Sequence, residues 1–404
     1  MTTPLLSRSL LLAACLISLP TLAIRSHPLS RKPPMIRFRE HLIDHFPAGY
    51  QCAVADINGD GKPDILALSS GKSEIAWYEN PTWKKHLLTT ATHSNIDLAA
   101  YDMDGDGKLE MAVASEFDLG NSHTGGKLQW FKRGKEVTEE WTEHEFASIP
   151  TAHRIRWADF DGNGKKELVV VPILGEGAVQ PNYTVPAPIV SYSFQDGKAV
   201  ARPIDSSLTV VHGVHVVDFD GDGKDDLLLA GFEGVFWLKP TGTGDHRTWK
   251  KVQLGAGEQN TPPKRGSSEV DLGHLPDGKR FLATIEPWHG HEVVVYTPPA
   301  SGKGLWERHI IDDTFDDGHA LACVDLDGDG KSEIVAGYRG KGRSLYGYRC
   351  TDDKGLKWER FTIDAGDMAA SGLFIADING DGRPDIVCIG AGSNNIKWYE
   401  NLGQ

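Results

Sequence analysis

The chain has 404 residues, 40% of them hydrophobic, with 45 glycines and a formal net charge of -14. A chain of this length and composition can bury a large core, which excludes a disordered protein. Its acidic balance, without a basic stripe of interleaved aromatics, speaks against nucleic-acid binding, and no long apolar run recurs after the N-terminus, so it is not expected to span a membrane.

In chain order, Arg8 precedes the apolar run Leu10 to Leu22, which ends in Thr21-Leu22-Ala23, the pattern of a secretory signal cleaved after Ala23. Residues 1–23 are therefore expected to be a signal peptide and 24–35 a linker, and the protein to be secreted or periplasmic. A lipoprotein reading of Leu12-Ala13-Ala14-Cys15 is disfavoured, because the apolar stretch before Cys15 is short and apolar residues continue past it. Four cysteines remain, Cys52, Cys323, Cys350 and Cys388, in a compartment that permits disulfides. Three pairings are open, and the apolar surroundings favour buried free thiols.

From residue 36 the sequence is periodic. DINGDGKPD from Asp56 returns as DMDGDGKLE from Asp102, DFDGNGKKE from Asp159, DFDGDGKDD from Asp218, DLDGDGKSE from Asp325 and DINGDGRPD from Asp377. A degenerate copy, DLGHLPDGKR from Asp271, fills the remaining gap, so successive starts lie about 46 to 59 residues apart and define seven units. Each unit carries strand-like runs before the loop (Cys52 to Ala55), after it (Ile65 to Leu68) and at an aromatic segment (Ile75 to Tyr78). A fourth run recurs at Phe38 to His41, Trp83 to His86, Trp141 to His144, Trp249 to Val252, Trp306 to His309 and Trp358 to Phe361, with Ala199 to Ser206 as the divergent member. The chain begins with a fourth strand and finishes on a third (Ile396 to Tyr399), so the last sheet must take its outer strand from the N-terminus. The expected fold is all-β: one seven-bladed β-propeller of four-stranded blades over residues 36–404, with an open solenoid as the runner-up that lacks capping repeats.

In each full copy, side-chain oxygens fall at the first, third, fifth and ninth positions: Asp56, Asn58, Asp60 and Asp64; Asp102, Asp104, Asp106 and Glu110; Asp159, Asp161, Asn163 and Glu167; Asp218, Asp220, Asp222 and Asp226; Asp325, Asp327, Asp329 and Glu333; Asp377, Asn379, Asp381 and Asp385. All-oxygen ligation by several carboxylates suits calcium better than zinc or copper, and the carbonyl of Lys62 is a further ligand expected in the first copy. The copies depart from an EF-hand at the twelfth position, where Ala67 and Val113 stand in place of Glu. Up to six structural calcium ions are expected, which accounts for most of the acidity without a basic partner. On these loops the chain resembles the FG-GAP or VCBS-type calcium-loop propellers, which include integrin heads and many secreted bacterial proteins. That resemblance implies a fold and says little of function.

Equivalent positions across the units converge on the propeller axis. Six residues before the leading Asp stand Tyr50, Ile96, His153, His212, His319 and Ser371, with Arg265 in the degenerate unit. The loops between second and third strands bring Glu116, Asp118, His123, Tyr183, Glu286, His289, His291 and Arg339 to the same face, and His93 and Asn95 precede another inner strand. Such a convergence of ionisable groups suits a binding or catalytic pocket. The long segments 114–126 and 171–189 are expected to form its walls or lids. His41, His86, His144 and His309 recur on outer strands and are expected to be structural.

The stretches FPAGYQCAVADINGDG, VPILGEG and IEPWHGHEVVVY resemble the propeller domain of the fungal aldos-2-ulose dehydratases. The resemblance implies elimination of water from anhydrofructose and related keto sugars. In that family cupin domains follow the propeller, whereas this chain ends after it, so steps assigned to the cupins are not carried over and an isomerase activity is not expected. β-Elimination next to a carbonyl needs a base, a partner for the enolate and an acid for the leaving oxygen. His153, His212 or His319 is expected as base or metal ligand, Tyr50 or Tyr183 as acid, and Arg339 as the enolate or carboxylate partner. His93, Asn95, Glu116, His123, Glu286, His289 and His291 are expected around the substrate, and several histidines with Glu286 alternatively hold zinc or a similar ion. Two functions stay open: a lyase or dehydratase acting on a keto sugar or uronate-containing glycan, and a non-catalytic, calcium-stabilised propeller that binds carbohydrate or protein.

Overall fold

A computed structural model describes residues 1, 35–195 and 197–404. The expected signal peptide, Cys15 and nearly all of the linker lie outside the described residues. Among the described residues there are twenty-eight strands, β1 to β28 in chain order, arranged as seven four-stranded antiparallel sheets. Blade 1 runs from the axis outward as β2 (Gly49–Ala55), β3 (Asp64–Ser69), β4 (Ile75–Glu79) and β5 (Lys84–Thr89). The inner strands of the next five blades are β6 (Asp97–Tyr101), β10 (Ala152–Ala158), β14 (Val211–Val217), β18 (Glu269–His274) and β22 (Gly318–Val324).

The seventh blade contains β26 (Ala370–Ala376), β27 (Asp385–Gly390) and β28 (Asn395–Asn401), and its outer strand is β1 (Phe38–Asp44). β1 and β28 pair antiparallel from Phe38 opposite Asn401 to Asp44 opposite Ile396. Closure is also made in the core: Phe46, Ile65, Ala67 and Tyr78 of blade 1 pack against Ile378, Val387, Ile389 and Ile396 of blade 7. An open solenoid has no such contact between its ends, so the ring is closed.

The pattern of burial follows from radial packing. β3 is buried at every position, because both faces of the second strand meet neighbouring blades, and its sequence DILALS shows apolar residues on both faces. The fourth strand meets solvent, as in Thr142–Ser148, of which only Phe146 and Ala147 are even partly buried. Aromatic and β-branched residues on adjacent blades form the cores between them, such as Trp77 and Leu66 of blade 1 with Met111 and Phe131 of blade 2. The four cysteines are free thiols, with Cys52, Cys350 and Cys388 buried and Cys323 half-buried. No helix among the described residues is long and apolar enough to cross a membrane.

Candidate active site at the axial mouth

The repeated loops sit between the first and second strands, and their backbone is organised by the leading aspartate. Asp56 Oδ1 accepts the amides of Gly59 (2.7 Å) and Asp60 (3.1 Å), and its Oδ2 accepts that of Gly61 (2.9 Å). Gly59 and Gly61 take φ of 80° and 83°, which suits only glycine in so tight a turn. The ninth residue is buried: Asp64 accepts the amides of Ile57 and Asn80. The carboxylates of Asp102, Asp104 and Glu110, of Asp218, Asp220 and Asp226, and of Asp325, Asp327 and Glu333 each converge within 4.8 Å, a spacing that can hold a metal ion. Burial, reinforced by Asp327, Asp329 and Asp325, pushes Glu333 up to about 8, so that loop favours a cation among its oxygens. In the Asp159 loop, by contrast, Asp161 and Glu167 both contact Arg247.

At the opposite end of the inner strands, four imidazoles and a phenol meet on the axis. His153 and His212, near the starts of β10 and β14, have ring centroids 4.6 Å apart; His212 and His319 lie 5.0 Å apart, and His289 lies 4.6 Å from His212. His153, His212 and His319 are buried. Their tautomers follow from their partners. His212 Nδ1 lies 3.0 Å from the Ser268 carbonyl and 3.0 Å from Glu269 Oε1, both acceptors, so Nδ1 carries the proton and Nε2 presents a lone pair. His319 Nδ1 likewise donates to the Ser371 carbonyl at 2.6 Å and leaves Nε2 bare, to accept from the Tyr50 hydroxyl at 3.1 Å. Tyr50 also lies 3.3 Å from His153 Nε2, while His153 Nδ1 is buried without a hydrogen-bond partner. His289 Nε2 stands 2.9 Å from His212 Nε2, with its Nδ1 facing Arg339 Nη2 at 3.3 Å and Asp317 Oδ1 at 3.6 Å.

Burial keeps these rings neutral. It holds His153, His289 and His319 well below the ordinary imidazole value, with nearby Arg154, Arg339 and the other rings acting in the same direction. His212 is also lowered by burial, against the opposing pull of Glu269. Burial opposes ionisation of Glu269 as well, but the charge of Arg154 and the contact with His212 bring its carboxyl below the ordinary value. Converging imidazole nitrogens, two of them on rings oriented through Nδ1 by a carbonyl or carboxylate, form a donor set suited to a divalent metal ion. His212 and His319 meet this condition directly. His289 does not: its Nδ1 faces the Arg339 guanidinium, which can only donate, so Nδ1 accepts and the ring proton sits on Nε2, toward the bare Nε2 of His212; that proton has to move before His289 Nε2 could bind a metal.

Two cavities flank the rings. One of about 470 Å³ runs along the inner strands and includes His319, Arg154, Glu269 and Asp97 in its lining. The other, about 440 Å³, opens beside His289 and is lined by Lys264, His291, Phe315, Asp316 and Asp317. The rings of His289 and His319 are 5.2 Å apart, so the cluster stands between the two spaces. Of the two long segments, the first places Phe117 5.5 Å from His153 and is joined to the second where Ser122 donates to the Ala178 carbonyl at 2.9 Å; neither segment lines the two cavities.

Of the residues singled out from sequence, the structure brings together Tyr50, His153, His212, His289, His319 and Arg339. The others lie apart from the rings. Tyr183 packs in an apolar cluster with Phe232 and Trp288. His93 and Glu116 form a pair at 3.7 Å, His291 is exposed beside Glu292, His123 lies on an exposed turn, and Asn95 donates to the Ser69 carbonyl. Glu286 is not beside the ring nitrogens. It accepts from Ser267, Thr284, Tyr296 and Arg308, which engage both its oxygens within the blade.

The degenerate unit explains two further differences. β18 runs to His274, past the expected leading Asp271, whereas the full copies end their inner strand just before that Asp; the Ser268 carbonyl takes the His212 Nδ1 proton as that of Ser371 takes the His319 proton, so the axial position falls on Ser268 and not Arg265. Arg265 instead lies over the Phe232 ring at 5.1 Å. This shift hid Glu269, which bridges His212 and Arg154 Nη2 (3.0 Å); Asp317, in the following blade, holds Arg339 through contacts of 3.0 and 3.1 Å that only the fold creates. Pairing each axial histidine with an acceptor carbonyl of the following blade would have revealed Ser268, because His319 uses Ser371 in the same way.

The family model for the β-propeller domain of aldos-2-ulose dehydratase matches residues 125–299, and that for FG-GAP-like repeats matches residues 56–113 and 325–388. Aldos-2-ulose dehydratase from Phanerodontia chrysosporium is 24% identical over 289 residues, covering 64% of this chain and 31% of that protein, so the chain spans about a third of that relative's length. An exotype rhamnogalacturonan lyase, YesX, shares the fold with a TM-score of 0.52 at 16% identity, over 88% of this chain and 72% of that one. So does an Agrocybe aegerita lectin that recognises non-reducing terminal N-acetylglucosamine, with a TM-score of 0.50 at 15% identity, over 89% and 87% of the two chains. At these structural identities the likeness is one of fold alone.

Proposed function

We propose that this chain, a propeller with FG-GAP-like repeats that is similar to the β-propeller domain of aldos-2-ulose dehydratase, is a secreted carbohydrate lyase or dehydratase acting by β-elimination on a keto sugar or uronate-containing glycan at its axial mouth. The observation that carries the reading is the convergence of His212, His289 and His319 with Tyr50 beside a cavity of about 440 Å³, a size suited to a small saccharide. The Nε2 atoms of the three histidines would hold a zinc or similar divalent ion, which when bound supplies Lewis acidity at a carbonyl oxygen.

The chain's own residues account for the remaining tasks. In elimination the α-carbon loses its proton to the Nε2 lone pair of His153, the electron pair of that C–H bond forms the new double bond, and the β-carbon–oxygen bond breaks with its electrons leaving on oxygen, which takes the Tyr50 proton; His153 then returns its proton to the Tyr50 phenolate. Tyr50, whose hydroxyl lies within hydrogen-bond reach of both His319 and His153, is the group to pass a proton to the leaving oxygen, and His153 is its relay. Arg339, held by Asp317, keeps positive charge near an enolate or carboxylate oxygen. Rings held neutral by burial accept a second proton poorly, which favours the ligand role over the base role for His212 and His319. Calcium is assigned to the acidic loops, where it would pin the turns that fix the inner strands.

Ultraviolet absorbance tests the proposal. The protein in calcium and zinc is mixed separately with anhydrofructose, 3-keto-glycosides and uronate-containing oligosaccharides. A rise from a conjugated enone or unsaturated uronate on one of them is expected. Saturable sugar binding without a rise on any of them would overturn the lyase reading in favour of a binding module.

A further inference from the structure

The Asp159 loop has the same ligand pattern as its fellows in sequence, yet its third and ninth positions are already paired with a cation from the protein. Arg247 Nη2 lies 3.1 Å from Asp161 Oδ1 and 2.6 Å from Glu167 Oε1. The Arg247 side chain is only 4% exposed, and its guanidinium lies 5.1 Å over the ring of Phe160, the second residue of the loop. It comes from the next blade, at the tip joining β16 (Gly234–Thr241) to β17 (Thr248–Gly255), where the amide of Gly244 also approaches Asp161 at 3.3 Å. Ser191 donates to the other oxygen of Glu167 at 2.6 Å.

The loop backbone differs to match. In the other five full loops the amide of the fourth residue, a glycine, donates to Oδ1 of the leading aspartate at 2.7 to 2.8 Å, whereas in this loop Asp159 Oδ1 takes the amide of the third residue, Asp161, at 3.3 Å, and the Asp161 carboxylate is turned toward Arg247. Lysines also reach two other loops, Lys132 to Asp104 and Glu110 and Lys239 to Asp220 and Asp222, but these sit on flexible stems with 37% and 20% exposure. The carboxylates of those two loops still converge on one point. Arg247 is different in kind: a buried, planar, permanently charged group with several fixed partners.

We propose that Arg247 takes the place of the metal ion in the Asp159 loop, which is closed by a guanidinium from the neighbouring blade and binds no calcium. The Asp102, Asp218 and Asp325 loops, whose carboxylates converge, remain available to ions. Arg247 thereby joins blades 3 and 4, whose inner strands carry His153 and His212, by a link independent of calcium concentration.

The test is anomalous diffraction from crystals soaked in terbium, a trivalent probe for oxygen-rich calcium loops. Wild-type crystals are expected to lack a terbium peak at the Asp159 loop, with Arg247 still on Asp161 and Glu167, and Arg247→Ala crystals are expected to gain one peak there. A wild-type peak in that loop with Arg247 swung away would overturn the proposal. So would an Arg247→Ala loop that stays empty, since the guanidinium would then not be what excludes the ion. Should Arg247→Ala fail to fold, the wild-type map decides alone. Occupancy of the other five loops is read separately in the same maps and bears on the calcium assignment, not on Arg247.

Discussion

His153, His212, His289 and His319 are four neutral rings packed where a protonated one would have to lose its hydration, and this sets how the protein responds to acid. Their folded values lie below the ordinary one of about 6.5, so below that pH the unfolded chain binds protons that the folded chain does not. Their contribution to stability is therefore fully present above about pH 6.5 and is lost as pH falls from there toward the lowered folded values. Thermal melting in chelator should show a marked fall in Tm between about pH 7 and 5, and the fall should be shallower in a His153→Gln variant, which removes one of the four rings. An equal slope in both proteins would show that His153 does not contribute. At this scale the sequence revealed His153, His212 and His319 because they recur at one offset from an acidic loop, and His289 because its loop joins second and third strands on the same face. It concealed Glu269 and Asp317, since the one lies in a unit whose register slips by three residues and the other touches Arg339 only through the fold.

The loops and strands were more legible than the site, because each is a local pattern repeated many times. Three of the four recurring outer-strand histidines are explained by cross-strand stacking, His41 on Trp398, His86 on Trp77 and His144 on Trp130, with ring centroids 4.2, 4.3 and 4.1 Å apart, whereas His309 stands opposite Val295 and meets the Thr297 hydroxyl at 3.2 Å. Such pairs contribute roughly 0.2–1 kcal/mol each. A pattern of ligand types, however, does not reveal a cation contributed by another blade, as Arg247 shows for the Asp159 loop. For the Asp325 loop the geometry predicts a clear response to metal. An ion at a hundredfold excess over its Kd stabilises by about 2.7 kcal/mol. Asp327→Asn should therefore lose about 1–3 kcal/mol in millimolar calcium. In chelator the difference should vanish or reverse, because removing one carboxylate relieves repulsion with Asp325, Asp329 and Glu333. Denaturant unfolding with and without calcium checks this. A loss of equal size in both conditions would assign Asp327 a role unrelated to the ion.

The whole molecule is a ring because its first strand completes its last sheet, and that closure brings seven inner strands to one axis. It was readable from sequence because the chain starts and ends out of phase with its own repeat. What the ring does was less readable, since the same architecture serves a lyase and a lectin, and function rests on a few residues from different blades. The central claim is that the bare Nε2 of His319, oriented by Ser371, belongs to a catalytic centre. Replacing His319 with Ala would also leave a buried carbonyl unpaired, so Asn is the better substitution: its amide can still donate to Ser371 while Nε2 is removed. The decisive measurement is the initial rate of absorbance increase for wild type and His319→Asn on the substrate that wild type turns over, with melting curves in calcium alongside. The account predicts a loss of at least about 100-fold in rate with a folded variant, as expected for removing a ligand of the ion that would polarise the substrate carbonyl. An undiminished rate in the folded variant would contradict it.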